Sequence, residues 1–266
     1  MRTKYKASPL AEMAIAFQFE PEPTFQAVHL GRFTEFLRDD YPTPLTQPPM
    51  EIAIERPFGT EITQQMFFPG QVEIPRAWMI SKDQSKLVQF QNSKLVFNWR
   101  RAESKTVYPS FESALDEFLR ILGALREFWL SEFGREPKTT QVELVYVNLI
   151  IPPNREVVRL SEAIPFLKDL IAINLPIQID GLSQTFSSKL KDIDGRLHVG
   201  IQLITRQPME GHEVRLELIA RGLPEALDHK GISTWFDRAH SQITEKFNTV
   251  TSEKFRIEVW GAYRHV

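Results

Sequence analysis

The stretch KLVQFQNSKLVFNWRRAESKTVYPSFESALDEFLRILGALREFWLSEF, Lys86–Phe133, decides the fold. With Asn92-Ser93 as central turn residues, Leu87–Gln91 and Lys94–Arg100 form a hairpin that pairs Phe90 with Leu95, Val88 with Phe97 and Lys86 with Trp99. Strand side chains alternate between faces, so these aromatics share one face, and Gln89, Gln91, Lys94, Asn98 and Arg100 share the other. Beyond Tyr108-Pro109, the residues Phe111, Leu115, Phe118, Leu122, Leu125 and Trp129 recur at helical spacing and make one apolar stripe. Ser110 suits the N-cap and Gly134 the C-terminal stop. A sheet with one apolar face followed by a helix with one apolar stripe predicts that the helix lies on the sheet.

Working outward toward the N-terminus, Glu12–Glu20 alternates as a strand, with Met13, Ile15, Phe17 and Phe19 on one side. Thr24 is the expected cap of a helix over Phe25–Asp39, stopped at Tyr41-Pro42-Thr43-Pro44. Leu45–Gln71, rich in proline and polar residues, reads as an irregular surface excursion. Val72–Ser81 reads as a strand interrupted near Pro75, hence an edge strand on which a homodimer could form.

Toward the C-terminus, Thr140–Ile151 is a strongly β-prone run closed by Pro152-Pro153, and Ser161–Asn174 is a short helix with Pro165 in its first turn. Strands follow over Ile177–Lys189, Leu197–Arg206 and His212–Arg221, with turns at Asp192–Gly195 and Pro208–Gly211. A last helix over Ser233–Asn248 carries the stripe Phe236, His240, Ile243 and Phe247. That stripe steps by four, three and four, as does Phe111, Leu115, Phe118, Leu122. The element order also repeats. The expected fold is therefore α+β: two pseudo-repeats of β-α-β-β-β-α, residues 1–134 and 135–266, closely packed. They would form a curved antiparallel sheet with two long helices on one face, in the general manner of TATA-binding-protein-like or helix-grip architectures.

Composition narrows the chemistry. With 266 residues, 42% of them hydrophobic, the chain can bury a full core. A net charge of -2 gives no global attraction to nucleic acid or anionic lipid. The lack of cysteine excludes disulfides, thiolate catalysis and Cys-ligated metals, and fits a reducing cytosol. No apolar run spans a bilayer, so a cytoplasmic location without a membrane partner is expected.

Pro9-Leu10 with Glu12, Gln89-Phe90 with Phe97-Asn98-Trp99-Arg100, Tyr108-Pro109 with Phe111-Glu112, Leu144–Asn148, and His240 followed by Phe247 and Trp260-Gly261 together resemble a sporadically distributed bacterial family of uncharacterised proteins. The resemblance extends over nearly the whole chain. It implies a bacterial cytosolic protein of patchy distribution, a pattern common among defence and toxin-antitoxin operon components, and it brings no catalytic residues.

Residue by residue, the chemical signals are sparse. His240 interrupts an apolar stripe, which suits either a ligand contact or base, or a half-buried imidazole at the helix edge hydrogen-bonded to a backbone carbonyl, with Asp237 one turn ahead to orient it. The histidines His29, His198, His212, His229, His240 and His265 show no metal-ligand spacing. Asp192, Asp194 and Gly195 look like a fragment of a calcium loop, but Leu197 and Val199 stand where further ligands belong, so a hairpin turn is expected. Glu213, Arg215 and Glu217 alternate on one strand, either as neutralised pairs or as acids of a nuclease. Trp99, Arg100 and Arg101 could stack bases and hold phosphate, but Trp99 shares the core face with Phe97. Neither a phosphate-binding glycine loop nor a GxSxG elbow occurs.

The reading that follows is a binding or regulatory protein that contacts a protein, a nucleic acid or a small ligand through Gln89, Gln91, Asn98, Arg100, Gln202, Arg215 and His240, with no catalytic residue, cofactor or metal. Another protein is the first expectation, because net charge does not favour nucleic acid. The alternative is a metal-dependent hydrolase or nuclease using the Glu213–Glu217 strand and His240.

Overall fold

The computed structural model describes residues 3–56, 59–63, 74–102, 108–151, 161–165, 167–168, 181–205 and 212–264. In chain order the elements are β1 (Thr3–Tyr5), β2 (Leu10–Phe19), α1 (Ala27–Phe36), β3 (Thr43–Gln47), β4 (Ile52–Arg56), β5 (Gly59–Thr63), β6 (Arg76–Ile80), β7 (Lys86–Gln91) and β8 (Lys94–Arg100). There follow α2 (Phe111–Phe133), β9 (Thr139–Ile150), β10 (Ser183–Lys189), β11 (Arg196–Thr205), β12 (His212–Gly222), α3 (His229–Val250), α4 (Glu253–Glu258) and β13 (Ala262–Arg264). The protein is α+β, built on a nine-stranded antiparallel sheet in the order β10-β11-β12-β9-β2-β8-β7-β6-β3.

The hairpin of β7 and β8 has the register its alternation predicts, Phe90 opposite Leu95, Val88 opposite Phe97 and Lys86 opposite Trp99. Its aromatic face joins Met13, Ile15 and Phe17 of β2, Leu144 of β9 and Leu216 and Leu218 of β12 in one core. The apolar stripes of α2 and α3 close that core from the same side: Phe118, Leu122 and Leu125 from one helix, Phe236 and Ile243 from the other. The Phe118 and Phe236 rings meet edge to face, 5.6 Å apart. Among the described residues, no helix is long and apolar enough to cross a membrane.

Helix α2 begins where the Ser110 hydroxyl accepts the Ser113 N–H, and it ends where Gly134 turns left-handed at φ 68° and donates its N–H to the Leu130 carbonyl. A Cβ at Gly134 would meet nothing within 4 Å, so any cost of a side chain there comes from backbone strain alone. Gly134→Ala is therefore expected to destabilise the fold by about 1 kcal/mol. Urea denaturation measures it, and an unchanged midpoint would rule out the strain.

Several expectations need correction. Helix α1 is capped at Gln26 rather than Thr24, because the Thr24 hydroxyl and N–H both donate to Glu22 while the Gln26 N–H donates to His29 Nδ1. The excursion after Tyr41 is not irregular throughout, since it supplies β3 and the β4-β5 hairpin. Pro44 is tolerated there because β3 is the outermost strand. For the same reason the Arg76–Ile80 strand is not an edge: β3 pairs along its outer side, and Pro75 precedes the strand instead of interrupting its ladder. Of the helix expected over Ser161–Asn174, residues 161–163 and 167–168 are helical. Residues 169–174, the start of the Ile177–Lys189 strand, Val72, Pro152-Pro153 and the Pro208–Gly211 turn lie outside the described residues.

Candidate functional site: the covered polar face of the sheet

Alternation sends every second residue of the central strands away from the helices. In one row across the sheet lie Gln89, Val96, Ala16, Glu143, Arg221 and Arg196, one from each of β7, β8, β2, β9, β12 and β11. A neighbouring row holds Gln91, Lys94, Gln18 and Gln141. Apart from Val96 and Ala16 these are polar and charged groups in the middle of a sheet, yet Gln18, Gln91, Lys94, Gln141, Glu143 and Arg221 are all buried. Residues 50–56 lie over them.

That segment is held by its backbone and by its two ends. The Gln91 side-chain amide accepts the Met50 N–H at 2.9 Å and donates to the Met50 carbonyl at 3.1 Å. The Gln141 amide accepts the Glu55 N–H at 2.9 Å and donates to the Ala53 carbonyl at 2.6 Å. Gln141 also donates to Gln18 at 3.0 Å, which fixes its orientation. Met50 packs on a small apolar island of Ala14, Ala16 and Val96, where the alanines of β2 leave room for it.

At the other end the Glu55 carboxylate enters a cationic seat. His198 Nε2 lies 2.8 Å from one of its oxygens, Arg221 lies 3.5 Å away, and Arg196 Nε lies 3.5 Å from the other oxygen. A carboxylate only accepts, so His198 Nε2 carries the proton, and Ser187 Oγ holds the opposite ring nitrogen at 2.7 Å. Close backbone approach builds this corner. A Cβ on Gly195 would stand 2.3 Å from the Arg221 carbonyl, so only glycine lets the turn before β11 press against the end of β12.

Beside it, Glu143 accepts from Lys94 Nζ at 2.9 Å and from Arg221 Nε at 2.5 Å. Burial by itself pushes the Glu143 carboxyl up, but the two adjacent cations outweigh it and hold the group down at about 2. It stays ionised at neutral pH and makes a poor base. Lys94, Arg196 and Arg221 thus face two carboxylates, Glu143 and Glu55. Alongside the seat opens a cleft of about 420 Å³ bounded by Glu55, Arg56, Lys189, Asp194 and Arg196.

The residues singled out in the sequence separate into groups. Gln89 accepts the Trp78 indole N–H at 3.0 Å and donates to Asn98 at 2.7 Å, and Asn98 donates to Glu12. These two and Gln91 are buried rather than displayed, because side chains and the 50–56 segment already use their amides. Arg100 donates to the Gln84 carbonyl and Arg101 to that of Ser8, while Trp99 is buried against Tyr108. Gln202 is exposed at the far end of the same face, and Arg215 pairs with Glu217 at 2.8 Å.

His240 lies on the opposite side. It stacks on Phe111 with ring centroids 4.0 Å apart and hydrogen-bonds the Tyr146 hydroxyl at 2.9 Å, among the helices. Glu213 and Glu217 point away from the core that Val214, Leu216 and Leu218 enter, so the sheet stands between them and His240. Among the described residues, no three metal-ligating side chains converge.

Glu143, Gln141, Arg221, Arg196, His198 and Glu55 were not singled out as one site from the sequence. The available signal was a lone carboxylate inside the β-prone run Thr139–Ile150, which burial obliges to find cations. Compared with known proteins, the chain matches no family model and no curated protein.

Proposed function

We propose that this chain is a non-catalytic binding protein whose polar sheet face grips an extended segment of another protein by its backbone. The pair of glutamine clamps carries the reading: Gln91 brackets Met50, and Gln141 brackets the Ala53 carbonyl and the Glu55 N–H. An amide that donates and accepts along one stretch of main chain reads the backbone, and side-chain pockets then add selectivity. The charges on the face favour the same role. Glu143 is neutralised by Lys94 and Arg221, and Glu217 has Arg215 beside it, so these carboxylates serve as fixed partners rather than as bases.

Residues 1–134 and 135–266 are on this reading two halves of a duplicated β-α-β-β-β-α unit that curves the face around its occupant. The strand order supports it: β2 and β9 pair at the centre, with β8, β7 and β6 outward on one side and β12, β11 and β10 on the other. A bacterial cytosolic setting, in a defence or toxin-antitoxin operon, rests on the family resemblance alone.

A peptide array probed with labelled protein tests the function. Binding should fall by about ten-fold or more in Gln91→Ala/Gln141→Ala, a loss of about 1.4 kcal/mol. Signal unchanged by that double substitution would defeat the reading. So would phosphodiester turnover with Mg²⁺ or Mn²⁺ that Glu217→Gln abolishes, since that result belongs to a hydrolase or nuclease.

A further inference from the structure

We infer that residues 50–56 are a resident pseudo-ligand, and that the partner displacing them carries an extended segment with an apolar residue followed, five positions on, by an acidic one. The inference rests on the function proposed above and specifies its partner and its regulation. The occupant defines the chemistry. Met50 fills the island over Ala14, Ala16 and Val96, two glutamines hold the main chain between, and the Glu55 carboxylate sits among His198, Arg196 and Arg221.

The seat demands an anion. With Glu55 lifted out, Glu143 would remain beside Lys94 and Arg221 while Arg196 would lose its carboxylate contact, an excess of positive charge where Lys94 and Arg221 are buried. A neutral side chain in its place would leave guanidinium groups desolvated and under-compensated. An incoming carboxylate restores the balance. The side chains that hold the segment belong to β2, β7, β8, β9, β11 and β12, and the segment pairs with β5 rather than with any of these strands, so its departure removes no strand from the nine-stranded sheet.

Selectivity and self-occupancy follow together. A partner segment must compete with an intramolecular copy held at high effective concentration, so the wild-type chain binds weakly, and a substitution within residues 50–56 that loosens them unmasks the face while leaving its glutamine clamps in place. Glu55 is the natural point of release, because its carboxylate ties the segment to His198, Arg196 and Arg221.

Fluorescence anisotropy with a labelled peptide MEIAIER, the sequence of residues 50–56, tests this on the full-length protein. Glu55→Gln protein should bind MEIAIER about ten-fold or more tightly than wild type does, and should bind MEIAIQR about ten-fold or more weakly than MEIAIER. Amide exchange at Met50 and Glu55 should accelerate in that variant while the exchange of β2 and β9 does not. If Glu55→Gln fails to fold, Met50→Ser loosens the same segment from its other end and carries the same expectations. Equal binding of MEIAIER and MEIAIQR would overturn the acidic specificity and leave backbone recognition standing. No binding of either peptide to the loosened variants would overturn the pseudo-ligand. In that case, glutamine-dependent binding on the array would preserve the proposed function, and its absence would remove both.

Discussion

Glu143→Ala is expected to destabilise the protein by about 3–5 kcal/mol, because it leaves Lys94 and Arg221 buried beside a vacancy of charge. Arg221 also reaches Glu55, which Arg196 and His198 already share. The midpoint of guanidinium denaturation reads the loss, with Glu143→Gln as a same-shape control that also removes the charge. Replacing the three partners together, Glu143→Leu with Lys94→Met and Arg221→Leu, should cost less than Glu143→Ala alone, since no charge is then stranded. A loss below about 1 kcal/mol in Glu143→Ala would show that water reaches and solvates the cations.

The same clamp makes a pH prediction. The Glu143 carboxyl is depressed from 4.5 to about 2 in the folded state, so the unfolded chain binds the proton more readily. Its contribution to stability is present in full above the unfolded value near 4.5 and is lost as the pH falls toward about 2. Glu143→Gln should therefore flatten the acid limb of the stability profile between those limits, and an unchanged limb would contradict the assignment.

Trp129→Ala should cost about 3–5 kcal/mol, by loss of buried area and by the cavity left behind. The indole is 2% exposed and lies where α2 meets the sheet and the turn before α1. It meets Phe19 at 4.9 Å, Phe25 at 5.9 Å and Phe133 at 4.7 Å between ring centroids, so its removal unseats partners on β2, in the turn before α1 and on its own helix at once. The adjacent Leu130 is 55% exposed and provides the comparison: Leu130→Ala should stay within about 0.5 kcal/mol of wild type. Equal effects at the two positions would mean that the stripe of α2 does not face the sheet.

Local periodicity explains why that stripe and the β7-β8 register were legible beforehand. Alternation in Lys86–Arg100 and helical spacing in Phe111–Phe133 are properties of consecutive residues, and Ser110 and Gly134 mark the helix ends by their own backbone chemistry. The strands β3 and β4 carry weaker patterns. Thr43–Gln47 contains a proline and is almost wholly exposed, and Ile52–Arg56 is half-buried on both sides, so neither alternates clearly. The candidate site was legible only in part, with Gln91 and Lys94 assigned to the correct face of the hairpin but Gln141, His198 and Glu55 unconnected to it.

By itself, then, the sequence determined the α+β class, the principal strands and long helices, and which face of each central strand is polar, because each of these follows from neighbours along the chain. Only the tertiary structure decided that β2 pairs with β9, that Lys94 and Arg221 converge on Glu143, and that Glu55 reaches His198 across 143 positions. Those outcomes depend on which strands become neighbours and on a segment folding back over the sheet. The polar alternation of Gln89, Gln91 and Asn98 reads the same whether that face meets solvent, a partner or its own chain. Residues 50–56 over Gln91, with Trp78 and Glu12 taking up the amides of Gln89 and Asn98, turn it from a solvated surface into an occupied seat.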